Sequence, residues 1–186
     1  MSPACFACRK HCRRREVDIK LSSGGTKNSE HLHCVFNRTR ESFLSLSVTL
    51  ADTHFKRLKG LVGKLRLKGD EGIWVVPSHG VHTIGVLFSI DLLYLDSQDR
   101  VIGIEESFGT FRIGPVRTNC ASVLELPTRT IYCSQTQIGD QLLICRPEVM
   151  AKFLRENQST TRRKLVTEQE GVFTEEPSGN ASVSRE

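Results

Sequence analysis

One carboxylate constrains this chain more than any other residue. Asp91 lies inside residues 86–95 (VLFSIDLLYL), a run that is otherwise almost wholly apolar. A short apolar run bounded by turn residues reads as a buried β-strand. An acid carried into such a strand costs on the order of several kcal/mol unless it is paired or hydrogen-bonded. Asp91 must therefore be met by donors, and His82 and Thr83 stand at the head of the same run. After it comes Asp96-Ser97-Gln98-Asp99, a turn that sends the chain back into residues 100–105 as a hairpin.

Other strand-like segments recur at similar spacing. Residues 43–50 alternate apolar and polar positions, which predicts a half-buried strand. Residues 73–76, 121–126 and 141–145 predict further strands, and 108–113 a weaker one. Gly, Pro and Asp separate them. Full-length helices alternating with strands are missing, which excludes a parallel α/β sheet. The pattern predicts an all-β sandwich or barrel over residues 43–146 with short helices. One helix is expected at 53–59, capped by Asp52, stopped by Gly60, and burying Phe55 and Leu58. A second is expected at 128–134 after Pro127, and a third at 148–156, whose apolar face is Val149, Phe153 and Leu154.

The two ends differ from this core. Residues 1–42 are basic, polar and cysteine-rich, and are expected to be disordered apart from a short strand near 16–21. Residues 157–186 are charged and rich in Ser and Thr, too poor in apolar surface to offset the entropy of ordering, and are expected to be a disordered tail. The formal net charge of +5 is concentrated there, in Arg13-Arg14-Arg15 and Arg162-Arg163-Lys164. Such clusters are solvated tails by default; nucleic-acid contact is the sharper alternative. No stretch of ~18 apolar residues exists to span a membrane. The basic N-terminus lacks the apolar segment of a secretory signal. A cytoplasmic protein with reduced thiols is expected.

Several short motifs resemble the domain-of-unknown-function 192 family. They are Leu50-Ala51-Asp52-Thr53 with Arg57-Leu58-Lys59-Gly60-Leu61; Glu71-Gly72-Ile73-Trp74-Val75-Val76-Pro77; Val81-His82-Thr83 with Gly85, Phe88, Ile90-Asp91 and Tyr94-Leu95-Asp96; Arg100-Val101-Ile102; Val123-Leu124-Glu125-Leu126-Pro127; and Ile138-Gly139-Asp140-Gln141-Leu142. The resemblance covers residues 50–146. It implies a small jelly-roll-like β-domain with short helices, no settled activity and no known cofactor. The chain departs from the family pattern at Ile84, where an aromatic is expected, and at Val86, Leu87 and Ser89, where a methionine, an arginine and a proline are expected.

Three constellations could carry chemistry. His82, Thr83 and Asp91 could line a polar site, with His82 as acid/base or ligand donor and Asp91 fixing its tautomer. The favoured reading of the same residues is a buried structural network in which Asp91 accepts backbone N–H groups from the adjoining loop and Thr83 and His82 complete the hydrogen bonding. Arg117 and Asn119 precede Cys120 and could contribute ligand contacts or lower its thiol pKa. Cys5, Cys8, His11 and Cys12, with His31, His33 and Cys34 to complete the set, have the spacing of a small zinc site. Asp96 and Asp99 could catch a hard cation, but a turn prefers Asp for backbone reasons alone. No complete catalytic set is present. The expected function is a non-catalytic binding or interaction module for a small ligand or protein, acting through loops 77–85 and 107–120. The alternatives are a hydrolase-like enzyme using His82 with Asp91, or a nucleic-acid-associated protein using its tails.

Overall fold

The alternation read in residues 43–50 becomes the longest strand of a computed structural model, which describes residues 32–52, 61 and 65–170, with side chains to 159. In order, the elements are β1 (Leu32–Asn37), β2 (Ser42–Ala51), β3 (Glu71–Val75), β4 (Ile90–Leu95), β5 (Val101–Phe108), β6 (Ser122–Pro127), α1 (Thr130–Ser134), β7 (Leu142–Cys145) and α2 (Pro147–Glu170). The seven strands make one sheet in the order β5-β4-β6-β3-β2-β1-β7. Only β2 and β3 run parallel.

The sheet curls until its edges approach. Near the start of β7, the Val101 N–H donates to Asp140 O (2.9 Å), the Gly139 N–H to Val101 O (2.7 Å) and the Leu142 N–H to Asp99 O (3.1 Å). Closing a sheet in this way removes exposed edge groups. The all-β expectation holds, with the barrel alternative realised as a half-barrel.

Because side chains alternate across a strand, the curl has two apolar faces. Inside it, Val35, Val48, Leu93, Leu95, Val101, Leu124, Leu126 and Leu142 pack with Ile131 of α1. On the outer face, Ile73, Val75, Leu92, Tyr94, Val123 and Phe108 pack with Val81, Val86 and Cys120 from the connecting loops. β4 is fully buried along its length, which is why it reads as a continuous apolar run rather than an alternating one.

Several boundaries are corrected. The sheet already includes residues 32–37, ahead of the expected start at 43: Cys34, Val35 and Phe36 supply three consecutive buried residues, Val35 and Phe36 pairing with both β2 and β7 and Cys34 with β7. The strand expected at 86–95 starts only at Ile90, after a turn in which Gly85 has φ 81°. Residues 108–113 form a loop beyond Phe108, broken by Phe111 at φ 53°. The helix after Pro147 continues to Glu170, beyond the expected end at 156. The expected helix at 53–59, the strand at 16–21 and the cysteine cluster at 5–12 lie outside the described residues.

The chain divides into two units, 1–149 and 150–186. The described part of the second is helical, with Lys152 and Glu156 paired at i, i+4 (3.9 Å). Among the described residues no helix is long and apolar enough to cross a membrane.

Candidate functional site

Asp91 is answered by backbone, not by His82. Its Oδ1 accepts the Ser107 N–H (2.9 Å) and its Oδ2 the Ile131 N–H (3.0 Å), and the residue is fully buried. Each donor needs this help. Between the pairs Ile90↔Phe108 and Leu92↔Glu105, β5 holds an extra residue, a bulge in which Ser107 has φ 52°. A bulged residue loses its ladder partner. Ile131 lies in the first turn of α1, where N–H groups have no partner within the helix; Arg129 at its N-cap makes no side-chain cap. One carboxylate thus caps α1 and holds the β5 bulge.

Period-two alternation explains why His82 is elsewhere. Asp91 shares a face with Leu93 and Leu95, inside the curl. Val81 and Val86, which flank His82, pack on the opposite face with Leu92 and Tyr94. His82 is exposed and makes an antiparallel bridge with Ile113. Thr83 is fully buried: its hydroxyl donates to Gly109 O (2.7 Å) and accepts the Arg112 N–H (2.9 Å). The three residues expected to share a site are thus separated. Thr83 closes one loop, Asp91 clamps another element, and His82 faces solvent.

That loop closure builds a ledge on the outer face. Residues 79–83 run against 111–117, held by Arg117 N–H to His79 O (2.8 Å), Gly114 N–H to Val81 O (2.8 Å), Thr83 N–H to Arg112 O (2.8 Å) and Phe111 N–H to Thr83 O (3.0 Å). His79 Nδ1 sits 2.6 Å from the Cys120 carbonyl; a carbonyl only accepts, so Nδ1 carries the proton. The ledge presents large apolar side chains to solvent: Ile84 is 52% exposed, Leu87 62%, Phe111 64%, Ile113 76% and Val116 75%. Arg112, its guanidinium 5.7 Å from the centre of the Phe108 ring, and His82 stand among them.

Beneath the ledge lies a polar cluster. The Arg117 guanidinium stacks 4.9 Å from the centre of the Tyr94 ring. The Tyr94 hydroxyl and Arg117 Nε are buried with no hydrogen-bond partner among the described residues. Burial, then the charge of Glu105, pushes the Tyr94 phenol up to about 12. Glu105 and Glu125 both face Leu92 from its neighbouring strands, which puts them in one row about 10 Å apart. Burial alone pushes the Glu125 carboxyl up to about 7. Close approach of the Gly114 backbone seals the cluster: a Cβ there would lie 2.8 Å from the Tyr94 hydroxyl.

Of the remaining candidates, Arg117 joins this cluster while Asn119 is exposed. Cys120 is a packed thiol: it donates to Ser122 O (3.1 Å), and burial pushes its pKa up against the weaker lowering effect of Arg117. Cys34 is a buried strand residue whose thiol donates to Leu46 O (3.5 Å); the other residues of the expected zinc set, apart from His33, lie outside the described residues. Asp96 spends its Oδ1 on the N–H groups of Gln98 (2.8 Å) and Arg100 (2.9 Å), as a turn residue does. Among the described residues no three His, Cys, Asp or Glu side chains are grouped to hold a metal.

Fold and site together define a curled single-sheet β-domain whose polar residues serve mainly to hold its loops, with an apolar ledge on the outer face. The DUF192 family model, described as an uncharacterized ACR, matches residues 35–144. That is more than half of the chain, and the chain belongs to this family. A UPF0127 protein of Thermococcus sibiricus is 26% identical over 113 residues, which cover 58% of this chain and 72% of that protein. A protein of unknown function from Novosphingobium aromaticivorans shares the fold with a TM-score of 0.53 at 18% identity, over 64% of this chain and 99% of its own. A Sinorhizobium meliloti protein, described as a candidate transcription regulator, gives 0.50 at 22% identity over 60% and 91%.

Proposed function

We propose that this domain is a non-catalytic interaction module and that the ledge of residues 79–88 and 109–117 is its docking surface for an apolar segment of a protein partner. The observation that carries this reading is the set of five large apolar side chains, each more than half exposed, on two loops locked together by backbone hydrogen bonds. Contiguous apolar surface on a soluble domain marks an interaction site more often than chance. Because the loops are already fixed to each other, little ordering entropy is spent on docking. Arg112 and His82 favour a partner segment that carries acidic residues beside its apolar ones.

The enzyme alternative lacks support from geometry: Asp91, the intended orienter of His82, has both oxygens committed to backbone N–H groups on the far face. The tail-borne nucleic-acid alternative concerns residues 1–42 and 157–186: Arg13-Arg14-Arg15 lie outside the described residues, and Arg162-Arg163-Lys164 fall on α2.

The test is site-specific cross-linking in cells. A photoreactive residue is placed at Phe111 or Ile113, and as a control at Ser97 on the β4–β5 hairpin. The expected result is a discrete cross-linked partner from 111 and 113, absent from 97, and lost when Leu87 and Val116 become serine. Equal yields from all three positions, or none, would overturn the proposal.

A further inference from the structure

We propose that Cys34 and Cys145 are a redox pair that closes into a cross-strand disulfide, stapling edge strand β7 to β1. The two residues are direct partners in the antiparallel β1–β7 ladder, so both side chains leave the same face. The Arg38 N–H donates to Gln141 O (2.9 Å) in the same ladder. Hydrogen-bonded pairs recur every second residue; Cys34 lies four residues from Arg38, and Cys145 four from Gln141. The cysteine pair is therefore of the hydrogen-bonded kind, with Cα atoms about 5.5 Å apart, inside the disulfide range of about 4.4–6.8 Å, while its Cβ atoms, about 5.5 Å apart in such a pair, must draw in by about 1 Å to reach the bonded spacing of about 3.5–4.5 Å. Both thiols are free, and after burial the charge of Cys145 is the next cause that raises the Cys34 thiol.

Their exposures assign the order of events. Cys34 is 4% exposed and its thiol donates only to Leu46 O (3.5 Å). Cys145 is half-buried at the far end of β7, beyond the hydrogen bonds that join residues 139–142 to 99–101. A low-molecular-weight disulfide such as oxidised glutathione reaches Cys145 first. The Cys145 thiolate attacks one sulfur of that reagent, forming a mixed disulfide and releasing one glutathione thiolate. The Cys34 thiolate then attacks the Cys145 sulfur and expels the second. The protein loses two electrons and two thiol protons; the reagent gains both as two glutathione thiols. Burial opposes thiolate formation at both cysteines, and at Cys34 the charges of Cys145 and Glu148 add to it. Exchange therefore quickens as pH rises.

The bond would close a loop from residue 34 to 145, enclosing nearly the whole sheet. A loop of that length restricts the unfolded chain strongly.

The full-length reduced chain is incubated with oxidised glutathione at mildly alkaline pH, alkylated, unfolded and digested. The expected product is a peptide pair joining residues 34 and 145. With it come a mass loss of about 2 Da for the two hydrogens and a thermal midpoint raised by on the order of 10 °C, both reversed by dithiothreitol. Cys34 lies in the core, so the informative variant is Cys145→Ser, which should show neither change. A stable glutathione adduct on Cys145 with Cys34 still alkylated after unfolding would overturn the proposal. So would a midpoint rise that survives in Cys145→Ser, since it would come from other thiols.

Discussion

Replacing Asp91 by asparagine tests how the interior of this sheet is held together. The substitution keeps shape and volume and changes one acceptor oxygen into an amide that can only donate. That amide must then face either the Ser107 or the Ile131 N–H, both of which now bond to the carboxylate at 2.9 and 3.0 Å. One bond is lost and its donor stays buried, at a cost of about 1–3 kcal/mol; the surviving bond loses its charged acceptor and weakens. The expected loss is about 2–4 kcal/mol, a sizeable share of the roughly 5–15 kcal/mol that holds a domain. Asp91→Ala orphans both donors and should cost about as much again. Urea unfolding followed by far-UV circular dichroism at pH 7 measures each value. His82→Ala, by contrast, removes an exposed side chain on the other face and should stay within about 0.5 kcal/mol. The double variant should then be additive within about 0.5 kcal/mol. Asp91→Asn as stable as the parent, or a coupling above that limit, would refute the clamp and restore a His82–Asp91 pair.

Glu125 should make the domain less stable in alkali. Its folded pKa, about 7, is raised from 4.5 by burial, so its contribution is intact below pH 4.5 and falls as pH rises to about 7. At 1.36 kcal/mol per pH unit the loss is about 3 kcal/mol. Glu125→Gln should therefore match the parent near pH 4 and exceed it by up to that amount at pH 8, read as urea midpoints. Asp140 should act with the opposite sign. Burial pushes its carboxyl up, but the Asn37 amide, the Gln137 N–H and Arg40 together outweigh that and hold it low. Its stabilisation is present above the ordinary carboxylate range and lost as pH falls through the folded pKa. The stability gap between parent and Asp140→Asn should accordingly close on acidification. Gly114→Ala places a Cβ 2.8 Å from the Tyr94 hydroxyl and 3.2 Å from Val81 O, and should cost about 1–3 kcal/mol by thermal denaturation.

What could be read from the sequence was set by how far each signal extends along the chain. The strands that matched expectation, β2, β3, β6 and β7, carry their own alternation or apolar run, and the β4–β5 hairpin carries its own turn residues. β1 carries neither. Its residues read as tail because their apolar stretch is short and set among His, Asn and Arg, and the hairpin it makes with β2 is completed by pairing with β7 more than one hundred residues away. Non-local pairing of that kind leaves no trace in a local window.

At the site, the favoured reading of Asp91 as an acceptor of backbone N–H groups holds; its pairing with His82 does not. Nearness in sequence suggested that His82 would answer Asp91, but an odd or even count along β4 decides the face. From Leu92, which packs outward with the loop residues Val81 and Val86, one step back to Asp91 crosses the sheet. The same counting, applied to Val123-Leu124-Glu125, would have placed Glu125 beside Val123 on the loop-covered face, a buried acid among apolar neighbours. A buried acid inside an apolar strand therefore does not by itself mark chemistry. Asp91 meets two backbone donors that a bulge and a helix start leave unpaired. Glu125 meets no such donor among the described residues. Of the two, Asp91 is required by the architecture, and Glu125 is the one whose removal the architecture should tolerate.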